Sequence, residues 1–378
     1  MPSIFSAILL LRSLGLRGLP DIFLTDQKKN RQDRQFERSL PDQGPNQPGK
    51  LLEARLEGNT LRVRYTHASL EAVYLAENLL RLTWQPGKLP TPYAIARSDW
   101  PACECQLEDS RSKPVFCSAR LALHLNEQGG WRLCDLAGQL LRDELPAEFF
   151  TGLGEAVRWS SRARLDEGEV LCGLGLHSGG LNLRGRGYSL WNSDPGGQHD
   201  AASDPLYLPL PVFLSLRPAG SSLIFFENST RARFELDSPT APGMAQASFD
   251  GGALRCYLIA GTPEELLERF SQLTGRPALP PRWSLGYQQS RWGYKSAEQI
   301  RQVVAGFQAH DLPLQAIHLD IDYLDGYRVF TVDRQRFPDL KGLADELHAQ
   351  GVRLVTIIDP GVKLDPGWSL YQNGYAQK

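Results

Sequence analysis

Apolar and polar residues alternate with a period of two across residues 51–260, the pattern of half-buried β-strands. In runs such as TLRVRYT and LLRLTW, large apolar side chains share one face while arginine and threonine share the other. The inward sets in the three clearest runs are Leu61, Val63 and Tyr65, then Leu80, Leu82 and Trp84, then Leu121, Leu123 and Leu125. Because Gly, Pro, Asn and Asp punctuate many such short runs, the pattern predicts an antiparallel β-sandwich.

The period changes at residue 262, where TPEELLERFSQLTG predicts an amphipathic helix. Thr262 and Glu265 have the spacing of a capping box, and Pro263 takes the first helical position. The predicted apolar stripe consists of Leu266, Leu267, Phe270 and Leu273. Together with the stiff segment RPALPP, this helix predicts a connection between domains over residues 261–281.

Strands and helices alternate after the linker. Strands are predicted at 282–289, 315–321 and 352–360. The helices between them are predicted over SAEQIRQVVAGFQAH, which opens with a capping box of Ser296 and Gln299, and over DLKGLADELHAQG. This β-α-β-α-β order requires a parallel sheet with right-handed crossovers.

Polar and aromatic side chains follow each of these strands. They are Arg291, Trp292 and Tyr294 after the first strand, Asp320 and Asp322 on the second, and Asp359 on the third. A (β/α)8 barrel has its active site at this end of its strands, and a doubly wound sheet also binds ligands there. The doubly wound fold is the weaker alternative, because no glycine-rich phosphate loop follows the first strand.

The predicted fold class is therefore a multidomain β plus α/β protein. An antiparallel β-sandwich (51–260) is followed by the linking segment (261–281) and by three β/α units of a (β/α)8 TIM barrel (282–378). A whole barrel takes about 250 residues. Because only three units fit, we expect a truncated barrel, either a fragment or one that another segment completes.

Composition narrows the function classes. The 378 residues are 42% hydrophobic and carry a net charge of −2, which favours neither nucleic acid nor an anionic membrane as partner. No run of 18 apolar residues predicts a membrane-spanning helix. The six dispersed cysteines predict free thiols and a reducing, cytoplasmic location. Cys103 and Cys105 lack the further nearby ligands that zinc needs, so no metal or other cofactor is predicted.

Residues 1–50 differ from the rest of the chain. MPSIFSAILLLRSLGLRG contains a short apolar run with no basic residue before it, a weak secretory signal. DQKKNRQDRQFERSLPDQGPNQPGK is polar throughout and predicts disorder. We interpret this range as a disordered or non-native leader, with a secretory signal as the alternative.

The stretch HLDIDYLDGYRVFTVD concentrates four aspartates at the end of a buried strand. His318, Asp320 and Asp322 are predicted on one strand face, with side chains roughly 6.5 Å apart and parallel. A retaining glycosidase pair lies roughly 5–5.5 Å apart and flanks the scissile bond, so this geometry disfavours a catalytic pair. A metal site is disfavoured too, because three strand residues at this spacing rarely converge on one ion.

Most of these aspartates suit structural roles. Asp322, Asp325 and Asp333 are interpreted as caps and loop acceptors. Asp320, at the barrel rim, suits the hydroxyl groups of a sugar. Trp292 would cover the sugar's apolar face, with a core tryptophan as the alternative.

The segments LGYQQSRWGY, HLDIDYLDGYRVFTVDRQRFPD and TIIDPGVK resemble the opening barrel strands of glycoside hydrolase family 31, the α-glucosidase family. GLGLHSGGLNLRGRGYSLWNSD and PLYLPLPVFLS resemble that family's galactose-mutarotase-like amino-terminal sandwich. Several long motifs in the right order carry this resemblance over roughly residues 51–378.

The resemblance implies a retaining α-glycosidase that acts on the terminal α-linked glucosyl residues of an oligosaccharide or α-glucoside. It would work without a metal, through an aspartyl-glycosyl intermediate. The matching substrate-binding positions are Asp320 for sugar hydroxyls, Trp292 and Ile357 for apolar contact, and Asp194 on a sandwich loop at the pocket entrance, with Ile321 and Asp359 as second-tier candidates.

Two departures from the family pattern matter. Leu176 stands where the family's GLGE has an acid, which puts a local hydrogen bond in doubt. The family's nucleophile and acid/base lie on later strands, expected downstream of Lys378, so the chain as written is expected to be inactive. The alternatives are a non-catalytic carbohydrate-binding sandwich protein, or an α-xylosidase or α-galactosidase of the same family. A homo-oligomer stays open for the full-length form.

Overall fold

A computed structural model describes residues 44–89, 91–108, 113–151, 157–195, 199–218 and 220–377, which form two compact units dividing between Arg276 and Pro277. The leader is predicted over residues 1–50. Its residues up to position 43 lie outside the described part of the chain. Within its last residues, Asn46 forms an antiparallel bridge with Phe149 of the first unit. None of the helices that the structure describes has the length and apolar character needed to cross a bilayer.

Two antiparallel sheets build the first unit. Its described strands are β1 (Leu51–Glu57), β2 (Thr60–Tyr65), β3 (Ser69–Ala76), β4 (Leu79–Gln85), β5 (Gln106–Glu108), β6 (Val115–Cys117), β7 (Leu121–Leu125), β8 (Trp131–Asp135), β9 (Leu140–Glu144), β10 (Glu148–Thr151), β11 (Val157–Arg164), β12 (Val170–Gly175), β13 (Arg186–Leu190), β14 (Pro209–Leu216), β15 (Ser221–Phe226), β16 (Ala232–Leu236), β17 (Met244–Phe249) and β18 (Leu254–Gly261). One sheet has the order β1-β2-β3-β4-β18-β15-β14-β12. The other has the order β13-β16-β17-β11-β9-β8-β7-β6-β5, with β10 paired to β11.

The period-two pattern correctly predicts which side chains enter the sandwich core. Leu61, Val63 and Tyr65 are at most 2% exposed, and the corresponding sets in β4 and β7 are buried as well. Apolar side chains from both sheets form one cluster, including Leu82 from one sheet and Phe234 from the other. The antiparallel sandwich is therefore confirmed.

Helix α1 (Pro263–Thr274) begins with the predicted capping box. Thr262 Oγ1 accepts a hydrogen bond from Glu265 N at 3.4 Å, and Glu265 Oε2 accepts one from Thr262 N at 2.8 Å. Leu266 and Leu273 are buried against the outer face of the eight-stranded sheet. The prediction is wrong for Leu267, which is 53% exposed because it lies about 100° around the helix from Leu266.

The second unit contains a parallel three-stranded sheet among its described residues, in the order β19-β20-β21. Its elements are β19 (Gln288–Gln289), α2 (Ala297–Ala309), β20 (Ala316–Leu319), α3 (Leu340–Ala349), β21 (Arg353–Thr356) and α4 (Ser369–Ala376). Ile300 of α2, Leu343 of α3 and Ile317 of β20 belong to one buried cluster. The alternation predicted for the opening of the barrel is confirmed.

The strands of the second unit are shorter than predicted. Most of 282–289 is not a strand, because the Pro281 carbonyl accepts from Ser284 N at 2.9 Å and starts a 3-10 turn. The second strand ends at Leu319, because the Asp320 side chain bonds to Ile321 N at 2.7 Å and the chain turns. The third ends at Thr356, before the residues 357–360 that the pattern included.

One of the two hydrogen bonds of the predicted α2 capping box forms. Ser296 Oγ accepts from Gln299 N at 3.3 Å, as predicted. The Gln299 side chain accepts from Lys295 N at 2.8 Å, one residue before the predicted donor. The helix start is therefore fixed by two side chains, although not in the reciprocal arrangement.

Candidate functional site

The carboxyl ends of β20 and β21 lie side by side. Leu319 pairs with Thr356 as the last rung, and Ile357 N donates to Leu319 O at 3.0 Å. Tyr323 OH donates to Ile357 O at 2.9 Å. Asp320 and Ile357, which each follow a residue of the last rung, are therefore brought to the same edge of the sheet.

Asp320 is half-buried at this edge. Its Oδ1 accepts from Ile321 N at 2.7 Å, and no described residue donates a hydrogen bond to Oδ2. An ionised carboxylate is an acceptor only, with about four lone-pair sites. Asp320 can therefore accept hydrogen bonds from hydroxyl groups of a ligand while its backbone neighbour holds it in place.

Trp292 lies in the loop after β19 and is 77% exposed, so it is not the core tryptophan considered as its alternative. Ile357 is 39% exposed. The second-tier residue Ile321 packs against the core of the second unit, whereas Asp359 is exposed after β21. The loops after all three strands thus carry predicted ligand-contacting residues.

The predicted shared face of His318, Asp320 and Asp322 is wrong for Asp322, because the strand has ended and Ile321–Tyr323 is a 3-10 turn. Asp322 is 6% exposed and accepts from Arg336 Nη1 at 3.3 Å and Tyr327 OH at 3.4 Å. Its contacts agree with the structural role predicted for it.

His318 contacts the neighbouring strand and does not join Asp320 and Asp322. Its Nε2 lies 2.7 Å from Gln288 Oε1 of β19. In the part of the chain that the structure describes, no group of three or more His, Cys, Asp or Glu side chains could hold a metal ion.

A network of charged side chains joins the loops after β20 and β21, and the sequence patterns did not reveal it. Arg328 bonds to Asp365 at 2.9 Å and to Asp325 at 3.2 Å. Lys363 Nζ donates to Gly326 O at 2.7 Å. The hydrogen bond from Arg328 lowers the pKa of Asp365. These contacts fix the loop that begins with Asp320, and only the Asp325–Arg328 spacing of three residues offered a signal.

Asp333 also stabilises the loop after β20. Its Oδ1 accepts from Gln335 N at 2.9 Å and Arg336 N at 3.1 Å, as expected for a structural acceptor. Arg336 in turn reaches Asp322, so Asp333 helps to place the cation that neutralises a buried carboxylate.

Asp194 lies in the first unit, in the loop after β13. It is exposed and accepts from Tyr207 OH at 2.8 Å. Leu176, in place of the family's acid, is 48% exposed, and its backbone N donates to Leu208 O at 2.8 Å. The loop segment at Leu176 is thus held by a backbone hydrogen bond.

Gly293 places the backbone beside Trp292 against Asp322. Its φ is +136°, and a Cβ here would lie 1.6 Å from Asp322 Oδ2. We expect Gly293→Ala to destabilise the second unit, since the strained φ alone costs about 1–3 kcal/mol and the buried carboxylate must move away from Arg336. Limited proteolysis in a urea series should show earlier cleavage of the second unit.

Gly361→Ala is the matched control for this change, because nothing lies within 4 Å of a Cβ at that position. Equal proteolysis of the two variants would show that Gly293 does not constrain the loop.

Two family profiles match this chain. Residues 25–235 match the glycosyl hydrolase 31 N-terminal galactose mutarotase-like domain, and residues 277–378 match the glycosyl hydrolases family 31 TIM-barrel domain. These matches agree with the sandwich and with the βαβαβ unit.

Similar proteins are longer than this chain. Alpha-glucosidase 2 of Bacillus thermoamyloliquefaciens is 36% identical over 307 residues, which cover 80% of this chain and 38% of that protein. The Alpha-glucosidase of Saccharolobus solfataricus is 32% identical over 211 residues, covering 56% of this chain and 30% of that protein. The chain thus spans less than half the length of these relatives.

A solved structure supports the fold independently. The GH31 dextranase of Flavobacterium johnsoniae, complexed with glucose, superposes with a TM-score of 0.76 at 22% sequence identity. The superposition covers 88% of this chain and 40% of that chain. At this identity the similarity concerns the fold alone.

Proposed function

The chain belongs to glycoside hydrolase family 31, and from this membership we propose that it carries the sugar-holding part of an α-glucosidase pocket. The observation that carries the proposal is Asp320, whose half-buried carboxylate stands at the strand edge beside Ile357, with no hydrogen bond to Oδ2 from any described residue. Trp292, exposed after the neighbouring strand, would cover the apolar face of the same sugar. Asp194, on its sandwich loop, stays a proposed substrate contact of the first unit.

Asp320 would bind substrate without transferring a proton. Retaining hydrolysis uses two carboxylates on either side of the glycosidic bond, roughly 5–5.5 Å apart. In this proposal both come from barrel strands other than β19, β20 and β21. Asp320 would hold hydroxyls remote from the bond, and such remote binding energy orients the substrate and supports the transition state.

The substrate class rests on the relatives. Both similar proteins named above are α-glucosidases, which supports an α-glucoside over the α-xyloside or α-galactoside that other members would take. The six cysteines, all free, support the proposed cytoplasmic location. The proposal needs no metal and no other cofactor.

A chimera tests this function. Residues 44–377 of this chain would be joined to the remaining part of Alpha-glucosidase 2 of Bacillus thermoamyloliquefaciens, which aligns with 80% of this chain. We expect the chimera to hydrolyse maltose and p-nitrophenyl α-glucoside, and to act poorly on the xyloside and galactoside. The polypeptide 1–378 alone should show no turnover, because its described sheet has three strands and a barrel closes with eight.

The unmodified glucosidase provides the positive control for this chimera. A folded chimera that hydrolyses none of these α-glycosides would contradict the proposal. Turnover by 1–378 alone would contradict the assignment of catalysis to other strands.

A further inference from the structure

A cavity of about 230 Å³ lies in the first unit, and none of the roles above uses it. Its walls include Tyr93 from the loop after β4, Trp191 and Asn192 after β13, Phe225 of β15, and Glu227 and Ser229 in the turn that follows β15. We propose that this cavity binds one neutral saccharide unit, with Glu227 as the anchoring hydrogen-bond acceptor.

Glu227 is the observation that points to a ligand. The residue is 3% exposed, and its Oε1 is buried without a hydrogen-bond partner among the residues that the structure describes. Its Oε2 accepts from Tyr257 OH at 2.9 Å and lies 3.7 Å from Arg255 Nη1. Burial raises the pKa of Tyr257, so its hydroxyl keeps the proton that it donates. A buried acceptor without a partner is costly, so a donor that reached Oε1 from the cavity would be favoured there.

The fold does not need the unpartnered oxygen. Asn228 fixes the turn, because its Oδ1 accepts from Thr230 N at 2.8 Å and its Nδ2 donates to Gly251 O at 2.8 Å. Glu227 N donates to Arg255 O at 2.9 Å and continues the β15–β18 ladder. Oε1 is therefore held in position by its surroundings, which lowers the entropic cost of binding a ligand.

The surrounding charges select a neutral ligand. The Arg255 guanidinium lies beside Glu227, and the Arg231 guanidinium lies 5.5 Å from the centroid of the Trp191 ring. These two cations disfavour a metal ion or an amine, while the Glu227 carboxylate disfavours an anion. Hydroxyl groups supply neutral donors for Oε1.

The lining suits the other face of a sugar. Trp191 and Tyr93 are 45% and 77% exposed, and aromatic faces pack against the apolar face of a pyranose ring. Asn192 and Ser229 add an amide and a hydroxyl to the lining. The volume is below the about 300–1,000 Å³ of sites for drug-sized ligands, which favours a single ring.

This site does not rest on the proposed function. Its lining belongs to the first unit and does not include Asp194, whereas Asp320, Trp292 and Ile357 belong to the second unit. A sugar held here would attach the protein to a glycan without being cleaved.

Calorimetric titration of the chain 1–378 with glucose and maltose tests the site. We expect saturable binding, with Glu227→Gln weakening it by about five- to tenfold, the difference between a hydrogen bond to a charged acceptor and one to a neutral acceptor. Trp191→Ala should weaken binding as well, and as a partly exposed position it keeps the test open if Glu227→Gln fails to fold. Glu264→Gln, an exposed glutamate on α1, is the matched control.

The outcomes separate the two proposals. Binding that falls in both cavity variants and persists in Glu264→Gln supports the site. Absence of saturable binding below about 10 mM, or binding that both variants retain, overturns it. Binding lost only with Asp320→Ala also overturns it, while leaving the proposed function intact. An inactive chimera whose sandwich still binds sugar would contradict the proposed function alone.

Discussion

Replacing Asp320 by alanine in the active chimera should lower kcat/KM for p-nitrophenyl α-glucoside by about 10²–10⁴-fold. A hydrogen bond to a charged group contributes about 1.5–3 kcal/mol, and Asp320 is proposed to accept two hydroxyls. Each 1.4 kcal/mol corresponds to about tenfold in rate or affinity. Because the carboxylate is half-buried, water replaces these bonds only in part.

The conservative variant Asp320→Asn separates binding from proton transfer. It keeps one acceptor and should retain more activity than the alanine variant, with the pH profile of kcat unchanged in shape. Asp345→Asn is the control, because Asp345 is exposed on α3 and pairs with Lys341. A loss of less than about tenfold in Asp320→Ala, or the disappearance of one limb of the pH profile in Asp320→Asn, would contradict the proposed role.

Replacing Glu144 by glutamine should destabilise the first unit by about 3–5 kcal/mol, the cost of leaving one partner of a buried ion pair uncompensated. The side chains of Arg142 and Glu144 are 6% and 2% exposed. Arg142 Nε donates to Glu144 Oε1 at 2.8 Å, and Ser161 Oγ lies 3.2 Å from both carboxylate oxygens. Without the Glu144 charge, the Arg142 guanidinium stays buried with no other anion of the described residues within ion-pair distance.

Urea unfolding followed by tryptophan fluorescence measures this effect, because Trp84, Trp131 and Trp159 are buried in the sandwich core. Glu53→Gln is the matched control, since its pair with Arg64 is exposed and should contribute at most about 1 kcal/mol. Replacing both Arg142 and Glu144 by apolar residues of similar volume should recover much of the loss. A single-variant effect of about 1 kcal/mol or less would mean that the pair is solvated.

The sandwich could be predicted from sequence because each strand repeats the same alternation of buried apolar and exposed polar side chains. In β2, alternate residues enter the core, and the residues between them meet solvent or a charged partner. The capping box of α1 could be predicted for a similar reason, because its contacts span only three residues. Such local patterns can be recognised from the sequence without knowledge of the tertiary fold.

The site was only partly predictable because its contacts are long-range. Asp320 and Trp292 could be named from their positions after predicted strands, but the burial of Asp322 depends on Arg336, fourteen residues later. The period-two pattern also predicted a strand that continues past Leu319. In the structure the chain turns there, because the Asp320 side chain accepts a hydrogen bond from the backbone amide of Ile321.

The cavity around Glu227 escaped prediction for the same reason. The partners of Glu227, Tyr257 and Arg255, come from β18, about thirty residues downstream. In the sequence, FFENST shows only an acidic residue at the end of an apolar strand. The stretch that contains Asp320 has the same local pattern, and only the fold distinguishes the two surroundings.

The most direct test of the central claim is a crystal structure of the chimera with glucose, measured at the Asp320 carboxylate. The account predicts two sugar hydroxyl oxygens within about 2.5–3.0 Å of the Asp320 oxygens, with the Trp292 indole against the ring. Glucose bound in the barrel with every hydroxyl more than about 3.5 Å from Asp320 would contradict it.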